Sequence, residues 1–152
     1  MEEKAPYAAQ DVALWFLNYV RSLNSEEDEE HLSNLKLQKL LYYAQGTYLA
    51  IKGKPLFGEE IQHWTHGPVV PAVYYKYCSN RGNPIPYDET FSADMDNETN
   101  SILAQVYETF GQYSAWGLRN LSHSETPWLS TKTNEVIPLN VIKKYFEDNY
   151  IE

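Results

Sequence analysis

The sequence contains few of the residues that several classes of protein require. It has a single cysteine, Cys78, among 152 residues, so it can form neither an internal disulfide nor a thiolate cage around a metal. Its 7 glycines are scattered, and no glycine-rich phosphate loop occurs. No apolar run approaches the roughly 18 residues that span a membrane. These absences predict a cytoplasmic protein without a cofactor, a bound metal or a membrane segment.

Basic residues are also scarce. Lysine and arginine number 12 against 21 aspartates and glutamates, which gives a net charge of -9. Proteins that bind nucleic acids usually present a basic face to the phosphates, so this balance argues against a nucleic-acid ligand. The acids are concentrated in the unbroken run Glu26–Glu30. Adjacent like charges repel one another, and we expect a solvated loop there.

Apolar residues make up 43% of the chain, and 13 tyrosines, 5 phenylalanines and 4 tryptophans supply enough bulk for a packed core. Their recurrence at spacings of three and four predicts helices, whereas Glu60–Trp64 alternates in polarity as a strand does. The fold is therefore predicted to be mainly α, a single compact domain over residues 1–152 with about six helices and a small β element near residues 57–64. The predicted helices are Ala9–Leu23, a segment from the N-cap Ser33 to the stop at Gly53, one from Pro71 to about 81–82, one from the cap Asn97 to Phe110, one capped by Ser114, and one opened by Pro138.

Prolines predict two irregular segments, because each restricts its own backbone or that of the preceding residue. Residues 83–87 are expected to be extended, and residues 122–128 to form a loop. Within that loop we expect Trp128 to pack on the domain and His123 to hydrogen-bond a backbone carbonyl or a tyrosine hydroxyl.

Signals for catalysis are weak. His63 and His66 are three residues apart, which on a strand places them on opposite faces and not around one metal ion. Residues 122–125 contain the letters of a hydrolase triad, but neighbours along a loop cannot present a nucleophile, its base and its orienter in line. We therefore predict that the protein is not an enzyme. A hydrolase or transferase that uses His66 and His123 is the alternative from another class.

The second predicted helix carries an unusual set of polar and aromatic residues. One stripe of the helix contains Gln38, Tyr42 and Gln45, and Lys39 and Tyr43 lie beside it. None of these residues belongs to the apolar stripe of the same helix. Such tyrosines either cap the edge of the core or form a recognition face, because Tyr buries a large area at low entropic cost. We predict a recognition face.

Three segments together resemble one family. The segments are Leu35–Gln45 (LKLQKLLYYAQ), Trp64–Tyr74 (WTHGPVVPAVY) and Leu121–Trp128 (LSHSETPW). They resemble the Panacea domain, also called the SocA-like or GepA-like antitoxin domain, of bacterial and phage genomes. The resemblance implies a mostly helical domain, encoded beside a toxin gene, that neutralises a cognate protein toxin by direct binding.

The resemblance leaves alternatives open for the function, and together with the residue patterns it defines the candidate site. An alternative within the same class is a proteolytic adaptor that delivers the toxin to a ClpXP-type AAA+ protease, and a homo-oligomer is also left open. It is equally open that the motifs maintain the fold while variable surface positions select the partner. The candidate partner-binding residues are Gln38, Lys39, Tyr42, Tyr43, Gln45, Trp64, His66 and Pro68, and the candidate structural residues are Gly67, Pro71, Tyr74, His123, Pro127 and Trp128.

Overall fold

Helices dominate the structure, a computed structural model that describes residues 5–23, 32–80, 83, 85 and 94–151. The mainly α prediction is confirmed, with one small sheet beside the helices. A short 3-10 turn, Cys78–Asn80, follows the third helix. The elements are α1 (Ala9–Leu23), α2 (Asn34–Lys52), β1 (Gln62–Trp64), β2 (Gly67–Val69), α3 (Pro71–Tyr77), α4 (Asn97–Phe110), α5 (Ala115–His123), α6 (Thr126–Leu129) and α7 (Leu139–Asn149).

Helix α2 is the centre of the fold. Its ends are fixed locally, because the Ser33 hydroxyl accepts the Lys36 N–H and Gly53 adopts the left-handed conformation with φ 77°, as predicted from the sequence. Helices α1, α3, α4, α5 and α7 and strand β2 all pack against it. Every residue of 37–49 is consequently buried. A helix enclosed in this way has no solvent-facing side on which to place its polar residues.

The β element is an antiparallel hairpin that lies slightly later than predicted. Trp64 pairs with Gly67 across a turn formed by Thr65 and His66. The sequence Gly67-Pro68 favours a turn, but both residues belong to β2 and the turn precedes them. The other edge of β1 is covered by the chain before α7: the His63 N–H donates to the carbonyl of Glu135 at 3.0 Å.

Two boundaries differ from the sequence predictions. Asp96, not Asn97, caps α4, because its carboxylate accepts the Thr99 N–H. The predicted loop over residues 122–128 is also wrong, since it contains the end of α5 and the single-turn helix α6. Pro127 lies in the first turn of α6, where its missing N–H costs no helical hydrogen bond. Ser114 caps α5 as predicted.

Two sequence predictions fall wholly or mostly outside the described residues: the acidic run at 26–30 and the extended segment 83–87. The third helix ends earlier than the predicted 81–82, at Tyr77, and the 3-10 turn follows it to Asn80. Within the described parts of the chain, no three His, Cys, Asp or Glu side chains are grouped so that they could hold a metal ion. No helix there has the length and apolar character needed to cross a membrane.

Candidate functional site

The five residues predicted as a recognition face are all in the interior. Gln38, Lys39, Tyr42, Tyr43 and Gln45 are each 0% exposed. The prediction of an exposed surface is therefore wrong, and the reason is the enclosure of α2 by its neighbours. Buried polar groups need partners, and each of these side chains finds one on another segment of the chain.

The two glutamines bind backbone N–H and carbonyl groups that lie outside the helices and the sheet. The Gln45 carbonyl oxygen accepts the Leu56 N–H at 2.8 Å, and its amide nitrogen donates to the Phe57 carbonyl at 2.8 Å. The Gln38 carbonyl oxygen accepts the Val70 N–H at 2.9 Å, just before α3. These side chains therefore fix the loop after α2 and the exit from the hairpin.

The two tyrosines meet at a buried carboxylate. The hydroxyls of Tyr42 and Tyr43 donate to one oxygen of Glu125 at 3.0 and 3.2 Å, and the hydroxyl of Tyr150 donates to the other oxygen. Burial raises the pKa of Glu125, and the three hydrogen bonds act against that rise. This cluster joins α2 to the α5–α6 junction and to the end of α7.

Lys39 is a buried amine without a carboxylate partner among the described residues. Its Nζ donates to the Pro68 carbonyl at 2.9 Å. Burial lowers the pKa of Lys39 to about 7, and the charge of Arg119 adds to that effect. Gly67, with φ 113°, is required beside it, because a Cβ there would lie 2.6 Å from Lys39 Cε. Pro68, a predicted partner-binding residue, is itself buried.

Trp128 is held between two histidine rings, and the prediction that it packs on the domain is confirmed. His63 and His123 each stack on it with ring centroids 4.0 Å apart. Its indole N–H donates to the Trp64 carbonyl at 3.0 Å, which ties α6 to the hairpin. Burial lowers the pKa of His123, whereas a backbone hydrogen bond with Thr65 acts in the opposite direction.

Two exposed aromatic residues, Tyr75 and Trp116, lie on a different part of the surface, in or beside a groove of about 540 Å³. Trp64 contacts the rings of Tyr74 and Tyr75, with centroids 4.9 and 5.8 Å apart. Tyr75 is 65% exposed and Trp116 is 56% exposed. The groove is lined by Asn34, Leu35, Gln38, Trp64, Thr65, His66, Val69, Tyr74, Cys78, Trp116 and Asn134.

This aromatic groove, defined by those lining residues together with Tyr75, unites four of the sequence-predicted residues: Gln38, Trp64, His66 and Tyr74. Pro71 starts the helix that carries Tyr74. Trp116 is not among the residues predicted from the sequence. A signal was present, because Trp116 lies two residues before the buried Leu118 and so on another side of that helix.

Comparisons with known proteins agree on one family. The family model described as Antitoxin SocA-like, Panacea domain matches residues 37–129, which include most of α2 and end with α6. Antitoxin SocA of Caulobacter vibrioides (strain NA1000 / CB15N) is 32% identical over 136 residues, covering 78% of this chain and 72% of the relative. No solved structure matches. The chain belongs to the SocA-like antitoxin family and contains its Panacea domain.

Proposed function

We propose that this chain neutralises a cognate protein toxin by binding it directly, with the aromatic groove at the centre of the contact surface. The observation that carries the proposal is the concentration of exposed or half-buried Trp and Tyr side chains in and beside one concave region. Trp and Tyr are the residues most enriched where binding energy concentrates in protein interfaces. Family membership supplies the expectation of a toxin as the partner.

The walls of the groove are fixed from inside, which favours tight binding. The Gln38 side chain holds the Val70 N–H, and the Trp128 indole holds the Trp64 carbonyl. The Asn34 amide donates to the Tyr74 carbonyl at 3.1 Å. A surface that is already ordered loses less conformational entropy when it binds, so more of the contact energy contributes to affinity.

The two histidines of the enzyme alternative have different environments. His66 is exposed in the hairpin turn, whereas His123 is stacked on Trp128 at the end of α5. No hydrogen bond joins them in the part of the chain that the structure describes. This arrangement favours a binding protein over a histidine-based hydrolase or transferase, which needs its acid and base within reach of one substrate.

Co-expression with the protein encoded by the adjacent reading frame tests the proposal. We expect the native chain to restore growth to cells that express that protein, and Trp116→Ala or Trp64→Ala to weaken binding by roughly thirtyfold. Ile51→Ala is the matched control, because Ile51 is a 41% exposed apolar residue at the opposite end of α2 from the groove-lining Leu35. Unchanged rescue by both tryptophan variants would contradict the proposal.

Cys78 offers a second readout without any substitution. It is exposed, it lines the groove, and it is the only cysteine of the chain. Binding of the toxin at the groove should slow alkylation of Cys78, measured by mass spectrometry. Rescue that disappears in cells lacking ClpXP, with no protection of Cys78 by purified toxin, would instead favour the adaptor alternative.

A further inference from the structure

A cluster of basic side chains without an acid lies behind one end of the aromatic groove. It consists of Lys39, Arg119 and His123, whose charges influence one another. None of the three forms an ion pair with a carboxylate among the described residues. In a chain with a net charge of -9, a basic cluster left without a carboxylate is unexpected.

Two polar atoms of this cluster have no hydrogen-bond partner within the part of the chain that the structure describes. The Nε of Arg119 and the Nε2 of His123 are both buried and unpaired. Their residues are four apart on α5 and therefore lie on the same side of that helix. A buried polar group without a partner destabilises the fold, so such groups usually have a role or a ligand.

Both side chains border the groove. The Arg119 guanidinium lies over the Trp116 ring, 4.3 Å from its centroid, and His123 has a backbone hydrogen bond with Thr65. Trp116 and Thr65 both line the groove, and none of the eleven lining residues is acidic. Each of the two residues is partly exposed, although Arg119 Nε and His123 Nε2 are themselves buried, so a ligand at this end of the groove requires both side chains to rotate.

We propose that this end of the groove receives an acidic side chain of the toxin, with its carboxylate accepting hydrogen bonds from Arg119 Nε and from Nε2 of a His123 ring that takes up a proton on binding, while an adjacent apolar side chain packs on Trp116. The inference deepens the proposed function and rests on it. A carboxylate satisfies both unpaired atoms, and hydrogen bonds to charged groups are the stronger kind. The rest of the chain is acidic and repels an acidic segment of the toxin, so that segment is restricted to this end of the groove.

A peptide selection tests the inference without the toxin. A library of random 12-residue peptides displayed on phage is selected on the full chain and counter-selected on Trp116→Ala. We expect the enriched peptides to carry Asp or Glu within two positions of an aromatic or aliphatic residue. Changing that acid to its amide in the synthetic peptide should weaken binding by at least about tenfold, measured by calorimetry.

Variants of the chain locate the effect. Arg119→Leu should weaken binding of the acidic peptide by a similar factor and leave binding of the amide peptide unchanged. The effects of the chain substitution and of the peptide substitution on affinity are then not additive. Lys144→Ala removes a basic side chain from α7 and should leave both peptides unaffected. If Arg119→Leu lowers the melting temperature, the comparison of acid and amide peptides on the native chain decides the question.

The outcomes separate this inference from the proposed function. Enriched peptides with a basic or uncharged consensus, or the absence of any peptide that depends on Trp116, would overturn the acidic anchor. So would full rescue from the toxin by Arg119→Leu and by His123→Asn in cells where Trp116→Ala fails, and that result would leave the proposed function standing. Displacement of the acidic peptide by inorganic phosphate at millimolar concentration would identify a phosphate site in its place.

Discussion

Tyr42 and Tyr43 on α2 are 0% exposed, whereas Trp116 and Tyr75 at the groove are more than half exposed. Both regions combine aromatic rings with side-chain amides. They differ in whether these groups are already paired within the chain or are exposed. On α2 each hydroxyl or amide has a partner elsewhere in the chain. At the groove, the exposed rings are available to a partner protein.

This difference assigns separate tasks to the two regions. The interior side chains of α2 hold the loop after α2, the hairpin and the α5–α6 junction in place, so substitutions there should act on stability. The exposed groove residues Trp116 and Tyr75 contribute little to the core, so substitutions there should act on binding. The most distinctive segment of the sequence, Leu35–Gln45, thus supports the groove from beneath, and only its residues Leu35 and Gln38 line the groove.

The largest expected effect is that of Tyr42→Ala. The substitution removes a fully buried ring that packs on Tyr43 and Phe146, and it removes a hydroxyl donor from Glu125. Loss of a buried aromatic side chain costs about 4 kcal/mol of unfolding free energy. Denaturant unfolding measures it, and a loss below about 1 kcal/mol would mean that Tyr42 is exposed in solution.

Gln45→Leu should cost somewhat less, because it keeps the side-chain volume but leaves the Leu56 N–H and the Phe57 carbonyl without partners. Buried unsatisfied groups of this kind cost about 3 kcal/mol together. Gln112→Leu is the control, since Gln112 is exposed and bonds only to its local Thr109 carbonyl. Equal effects of the two substitutions in thermal unfolding would contradict the assignment of Gln45 to the interior.

The contribution of the buried amine can be measured by comparing the pH dependence of the unfolding free energy between the native chain and Lys39→Met. The pKa of Lys39 is lowered from 10.5 to about 7, so between these pH values the unfolded state holds more protons and stability rises with pH. From pH 7 to pH 9 the native chain should gain about 2 kcal/mol relative to Lys39→Met. Parallel pH profiles of the two proteins would show that Lys39 stays charged and hydrated.

Local signals made much of the fold predictable. The ends of α1 and α2 follow from spacing and caps within the segments themselves. The position of β1 could not be derived in this way, because its outer edge pairs with Glu135, about seventy residues later. The burial of Gln38 and Lys39 was also hidden, since it depends on how many elements surround α2, which periodicity within one helix does not record.

The candidate site was predictable only in part. Trp64, His66 and Tyr74 are close in sequence, and the hairpin and α3 bring them together. Trp116 comes from α5, and only the packing of α5 against β2 places it beside them. A groove built from separate elements has no single sequence motif. The segment Leu35–Gln45 of α2 is continuous in sequence, and it can therefore be recognised as a motif although its burial cannot.

The central claim, that binding and stability belong to different regions, is tested most directly by Trp116→Ala. Its unfolding free energy should stay within about 0.5 kcal/mol of the native value, because the side chain is largely exposed. Its affinity for the toxin, measured by calorimetry beside the Ile51→Ala control, should fall by roughly thirtyfold. A native affinity in Trp116→Ala, or a loss of affinity that merely follows unfolding, would contradict the account.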